Sequence, residues 1–276
     1  MADSPIERAR AKVLRVAPLD EADSVETVSV EEPLEIRVHS AQALEPSRVA
    51  VTMRTPGHED ELAVGFLFTE GLIRGRDELA RPAVRELSIA DGVNNVVTVR
   101  LERAFDPTLL QRNFFATSSC GVCGKASIDQ VERAVERLNA SWSLPRSLVV
   151  ELPSRLRAAQ AQFEATGGLH ACGLFSQSGE LEVLREDVGR HNAMDKLIGR
   201  MVLAGRVPLS ESLMMVSGRL SFELVQKAAM AGVALLCAVS APSSLAIRAA
   251  ERFGQTLVGF VRDGRCTVYT HPSRVR

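Results

Sequence analysis

Hydrophobic positions change their period along this chain, and the change divides it. Leu34, Ile36 and Val38 alternate with polar neighbours, as do Val49, Val51 and Met53, which predicts two strands of a half-buried sheet. Thr55-Pro56 offers a helix start, with Leu62, Ala63, Phe66 and Leu67 as the buried stripe and Gly71 as its stop. Val97, Val99 and Leu101 alternate again after the turn residues Asp91 to Asn95, predicting a hairpin. Ahead of all this, residues 1–30 are polar and acidic without a sustained period, and read as a flexible lead-in.

Beyond about residue 125 short apolar runs alternate with amphipathic stretches, the signature of an α/β arrangement. Ser154 to Phe163 reads as a helix closed by Gly167-Gly168, and Leu169 to Phe175 with Leu181 to Leu184 as a strand pair. Asn192 reads as the cap of a helix carrying Met194, Leu197, Ile198, Met201 and Val202. Ser212 to Val216, Val233 to Val239 and Thr256 to Val261 are then strands, separated by helices starting at Ser221 and Ser244, and Cys266 to Tyr269 is the last strand. The predicted class is α/β with an α+β N-terminal part, divided into 1–30, a smaller part 31–125, and a cofactor-binding part 126–276.

Size and charge narrow the function without naming it. A chain of 276 residues buries a sizeable core without staples, and a net charge of −1 argues against a basic nucleic-acid surface. The longest apolar run, Val233 to Val239, is too short for a bilayer, and residues 1–15 lack the apolar segment of a signal peptide. Five widely spread cysteines, apart from one close pair, point to a reducing, cytoplasmic setting rather than a secreted disulfide framework.

That close pair is the chemical focus. In Thr117-Ser118-Ser119-Cys120-Gly121-Val122-Cys123-Gly124-Lys125, two thiols three positions apart can share a disulfide, hold a metal, or carry sulfur on one thiolate while the other assists. A capping box at Ser127-Ile128-Asp129-Gln130, followed by Ile128, Val131, Val135 and Leu138 at helical spacing, predicts a helix just after the pair. The positive end of that helix, with Lys125, lowers a thiol pKa and favours the nucleophilic thiolate. Spacing alone leaves the three roles open.

In open α/β sheets ligands bind beyond the carboxyl ends of the strands. Four loops there are rich in small, hydroxyl or charged residues: Arg185 to Asn192, Ser217-Gly218-Arg219, Ser240 to Ser244, and Arg262 to Arg265. Ser217-Gly218-Arg219 combines backbone N–H groups, a hydroxyl and a guanidinium suited to a phosphate, or is an ordinary turn with a solvated arginine. Arg262 and Arg265, around Asp263-Gly264, grip an anion or decorate a hairpin tip. His191 is a candidate acid, base or ligand; His170 and Cys172 are a conceivable metal pair, with core packing favoured, and Cys237 reads as a core residue.

Taken in order, Arg54-Thr55-Pro56-Gly57, Glu61 to Gly71, Ser119-Cys120-Gly121-Val122-Cys123-Gly124, Gly168-Leu169-His170, Glu186 to Asn192, Ser217-Gly218-Arg219, Ser240 to Ser244 and Tyr269-Thr270-His271-Pro272 resemble the FdhD formate dehydrogenase accessory sulfurtransferases over nearly the whole chain. The resemblance implies a cytoplasmic homodimer that takes sulfur from a cysteine desulfurase as a persulfide. It passes the sulfur to the molybdenum cofactor, in its bis-guanine-dinucleotide form, for formate dehydrogenase. It implies Cys120 as the persulfide carrier, Cys123 as its partner, and cofactor binding near Phe260, Val261, Arg262, Asp263, Gly264 and Arg265, with GDP as a mimic of the cofactor. Ser217, Gly218, Arg219 and His191 join that set from the loop reading above.

The family's fold is similar to that of cytidine deaminases, which need a His-x-Glu ahead of Pro-Cys-x-x-Cys to bind zinc and move protons. Here Ser119 precedes the pair and His58-Glu59-Asp60 lacks the glutamate two residues on, so no protein-bound metal is expected. The competing readings are a cofactor-binding chaperone without sulfur chemistry, and a zinc-dependent hydrolase.

Overall fold

The computed structural model describes residues 8–17, 20–90, 93–106, 135 and 137–276. Cys120, Cys123, Lys125 and the capping box at Ser127 lie outside the described residues. Among the described residues the chain forms three sheets with helices packed on them, an α/β architecture as expected. The described strands are β1 (Arg8–Ala17), β2 (Asp20–Ser29), β3 (Glu32–Ser40), β4 (Ser47–Arg54), β5 (Leu79–Ala90), β6 (Val93–Leu101), β7 (His170–Phe175), β8 (Leu181–Asp187), β9 (Leu213–Val216), β10 (Leu235–Ala238), β11 (Thr256–Arg262) and β12 (Arg265–Val268). The helices are α1 (Glu59–Thr69), α2 (Arg146–Ala159), α3 (Ala161–Thr166), α4 (Arg190–Leu203), α5 (Phe222–Met230) and α6 (Ser244–Phe253).

The larger sheet has the order β12-β11-β10-β9-β7-β8, with β9, β10 and β11 parallel and joined through α5 and α6. Successive side chains on a strand point to opposite faces. Leu236 and Ala238 of β10 therefore enter the cluster shared with α4, α5 and α6, while Leu235 and Cys237 enter the cluster under α2. On that second face α2 contributes Val149, Leu152 and Leu156, all at or below 1% exposure. At about 1.5–3 kcal/mol each, these three side chains alone anchor the helix by several kcal/mol.

The smaller sheet, β4-β3-β6-β5, lies against α1, and α1 crosses α4. The crossing is set by two glycines. A methyl group added at Gly65 would stand 1.8 Å from the Asp195 carbonyl oxygen, and one at Gly199 would stand 1.8 Å from that of Glu61. Backbone touches backbone here, so the helices approach as only glycine permits. One buried cluster consequently draws on both sides of position 125, from Leu34 and Ile36 to Leu236 and Phe253.

Several boundaries differ from expectation. The expected lead-in contains the hairpin β1–β2, tied to α3 by Arg8 Nε to Gln162 Oε1 (2.8 Å) and Ser29 Oγ to Thr166 Oγ1 (2.8 Å). A two-stranded ribbon with little buried surface carries no strong period-two signal, which is why it reads as loop. The first helix starts at Glu59, not Thr55, because Thr55 is engaged in tertiary hydrogen bonds and Gly57 and His58 turn through positive φ. The expected helix 154–163 is two helices, the first running through Pro153. Val51 and Met53 of edge strand β4 are each 48% exposed, since a bulge opposite Ile36/Arg37 reverses the pattern after buried Val49.

Candidate functional site

The carboxyl ends of β8, β9, β10 and β11, with the start of β7, share one edge of the larger sheet. Helices α4, α5 and α6 all start there, so three helix N-termini converge, with Ser243 Oγ accepting from Ala246 N in α6. Two tertiary networks hold the edge in place. Asp187, at the end of β8, is fully buried; its carboxylate takes Lys196 Nζ at 2.7 Å, Thr55 N at 3.1 Å, Gly189 N at 2.8 Å and Asn192 Nδ2 at 3.1 Å. Lys196 also donates to Thr55 O (2.7 Å), and Thr55 Oγ1 accepts from Val188 N (3.0 Å). Thus Arg54-Thr55-Pro56-Gly57 is bolted to Glu186-Asp187-Val188-Gly189.

Strand β8 runs three residues further than expected, and α4 begins at Arg190 rather than after Asn192. Asn192 is inside the helix, where Nδ2 donates to Met53 O (2.7 Å) and Oδ1 accepts from Thr52 Oγ1 (3.2 Å). A second network lies deeper: Lys227 of α5 bonds both Asp195 oxygens (3.0 Å each), Thr69 Oγ1 (2.8 Å) and Glu70 Oε1 (3.2 Å). Burial pulls the Lys227 ammonium down, but Asp195 and Glu70 outweigh it and hold its pKa at about 12. Arg185 grips Glu61 through two hydrogen bonds, at 2.5 and 2.9 Å, joining β8 to α1.

The sequence-predicted residues fall into two groups on this edge. His170, His191, Ser217, Gly218 and Arg219 gather over β7, β8 and β9, joined there by Arg190. His191 Nε2 lies 2.8 Å from Glu223 Oε2 and 3.3 Å from Ser221 Oγ. That hydrogen bond to His191 is the main reason the Glu223 carboxyl is held below its usual range, against its own burial. Ser217 Oγ accepts from Ala171 N (2.9 Å), so its oxygen also secures the start of β7. Arg219 is exposed.

Phe260 to Arg265 form the second group, beyond the Ser240–Ser244 loop. Phe260 holds φ 51° and donates its N–H to Ser240 O (3.2 Å), a strained conformation for a bulky residue. The Arg262 guanidinium lies 5.5 Å from the Phe260 ring centroid. Asp263 and Gly264 make the tight turn, both with positive φ, and Arg265 approaches Asp263 at 3.8 Å on an exposed tip. Val261 is fully buried in the core under α2, so its side chain serves packing.

His170 is half-buried at the edge rather than in the core, and its pKa is lowered, first by burial and then by Arg190, His191 and Arg219, with Asp187 opposing. Cys172 and Cys237 are fully buried, which pushes both thiols far up and leaves them unreactive. Among the described residues no three His, Cys, Asp or Glu side chains are grouped to hold a metal ion. Arg190 and Glu223 were not singled out from sequence. The available signal was their place in the first turn of helices that begin at the strand ends.

The sequence profile of the FdhD/NarQ family matches residues 29–276. The chain belongs to the FdhD/NarQ family. A relative from Streptomyces avermitilis, named sulfur carrier protein FdhD, is 47% identical over 96% of this chain and 95% of its own length. Another of that name from Sulfurisphaera tokodaii is 41% identical over 96% and 98%. The crystal structure of a protein assigned as a formate dehydrogenase accessory protein from Desulfotalea psychrophila superposes with a TM-score of 0.75 at 26% identity. It covers 99% of this chain and 100% of that one. The chain therefore shares the fold of that accessory protein, and among the described residues no helix is long and apolar enough to cross a membrane.

Proposed function

We propose that this chain is a cytoplasmic sulfur carrier for formate dehydrogenase, in which Cys120 takes sulfur from a cysteine desulfurase and delivers it to the molybdenum cofactor in its bis-guanine-dinucleotide form. The observation that carries the reading is one of setting. A chain 47% identical to a named sulfur carrier gathers three helix starts and four cationic or protonatable side chains on one sheet edge. Arg190 Nε is buried there without a hydrogen-bond partner among the described residues, which fits an anionic cargo. The cofactor is substrate here, bound through its phosphates and guanine, as a homodimer would present it.

The sulfur step balances without an outside oxidant. The Cys120 thiolate attacks the outer sulfur of the donor's persulfide; a Cys120 S–S bond forms, the donor's S–S bond breaks, and the donor leaves as thiolate. Release follows when the Cys123 thiolate attacks Cys120 Sγ. A Cys120–Cys123 disulfide forms, sulfide departs, and a cellular thiol reductant restores the pair.

The test is intact mass after incubation with a cysteine desulfurase and cysteine. A labile adduct of roughly one sulfur atom, about 32 Da, is expected on the wild type and absent from Cys120→Ala. A Cys120→Ala chain that binds GDP and still activates formate dehydrogenase would favour the chaperone reading instead.

A further inference from the structure

Resting on that reading, the geometry points to His170 and Arg190 as the phosphate-gripping residues of this edge. We propose that they act together at the Ser217-Gly218-Arg219 turn, and that anion binding there is coupled to protonation of His170. A methyl group placed on Gly218 would stand 3.3 Å from His170 Nδ1, 3.5 Å from its Cε1 and 3.7 Å from Arg190 Cδ. The turn therefore lies directly against the imidazole edge and the arginine stem, where a side chain at 218 would crowd the imidazole. Arg190 opens α4, where the first backbone N–H groups have no intrahelical acceptor, and its Nε is itself buried without a partner among the described residues.

The charges facing His170 are unbalanced. Arg190 and His191 face it from α4, Asp187 from β8 and Arg219 from the loop after β9. Asp187 is neutralised by Lys196 at 2.7 Å, and Glu223, the one carboxylate of α5 at this group, is taken by His191 at 2.8 Å. Glu223 also acts on Arg190, but burial first and then the two arginines, Arg190 and Arg219, disfavour the charged form of the imidazole. A phosphate entering between them replaces repulsion of the imidazolium by attraction, so His170 binds a proton as the anion binds. The ligand class is a phosphoanhydride, and by linkage its affinity rises as pH falls, by up to about tenfold per pH unit.

Calorimetry on the full chain tests this, with GDP and inorganic pyrophosphate as probes between pH 5.5 and 8. Buffers of different ionisation enthalpy report net proton uptake without any variant. The wild type is expected to take up protons and bind more tightly at low pH. H170Q should lose that part of the uptake, and R190Q should weaken binding about 10- to 100-fold throughout. The second ionisation of phosphate, near pH 6, contributes equally to wild type and H170Q, so their difference isolates the histidine. Binding by the wild type without proton uptake beyond that of the ligand overturns the coupling and leaves the sulfur-carrier reading standing. So does a pH slope that survives in H170Q but vanishes in H191Q. No binding of either probe overturns the phosphate site, while the mass test on Cys120 judges sulfur transfer separately.

Discussion

Lys196→Met is the sharpest test of what holds the edge together. Lys196 and Asp187 are both 0% exposed, with Nζ 2.7 Å from Oδ2 and 2.7 Å from Thr55 O. The substitution keeps the helix and roughly the volume but leaves a buried carboxylate without its counter-charge and a buried carbonyl without its donor. Removing one partner of a buried ion pair costs about 3–5 kcal/mol, a large share of the roughly 5–15 kcal/mol that holds a domain folded. At about 2–4 °C per kcal/mol this predicts a melting temperature lower by roughly 6–20 °C. Urea unfolding of wild type, K196M, D187N and the double variant, followed by circular dichroism, gives the coupling directly. The double variant should be more stable than the sum of the single losses predicts, by about 2–3 kcal/mol. A K196M loss under about 1 kcal/mol, or plain additivity, would refute the claim that this pair locks Thr55 to the β8–α4 turn.

Gly65→Ala should cost about 3 kcal/mol, the upper end of overpacking, because the new methyl meets the Asp195 backbone; Gly71→Ala, with open space around it, should cost only about 1 kcal/mol of left-handed strain, and equal losses in chemical denaturation would contradict this. The unfolded chain protonates His170 near its ordinary pKa of about 6.5, and the folded chain only at lower pH. The unfolded state therefore binds more protons below that value, so stability rises with pH through this window; H170Q should flatten that rise in a melting series, and an unchanged slope would count against it. Arg274→Met should destabilise by about 2–3 kcal/mol, since its guanidinium serves Gly254 O and Thr256 Oγ1 at 2.9 Å each; thermal melts equal to wild type would remove that role.

The strands of the larger sheet were legible because β9, β10 and β11 are short apolar runs between helices with good stops, such as Gly254 at φ 73°. The edge loops were legible too, since ligand loops of parallel strands follow from chain direction. Hidden from the sequence were the charges that work inside. Asp195, Lys196 and Lys227 sit among apolar neighbours on their helices, and a lysine in such a stripe reads as an exposed interruption until its carboxylate, distant in sequence, is seen. His170 was read as core because alternation along β7 says which face a side chain takes, not whether that face is open at the strand end.

Local chemistry along the chain determined the α/β class, the direction of the parallel strands, the turns at Gly71 and Asp263-Gly264, and the close spacing of the cysteines at 120 and 123. Those properties depend on period, backbone freedom and residue type, which are local. Tertiary structure alone decided that Gly65 and Gly199 would meet and that Thr55 would be held by Asp187 and Lys196. It also decided that His170 and Arg190 would both pack against Gly218. Each is a contact between segments far apart in sequence, and its energy exists only once the core has brought them together.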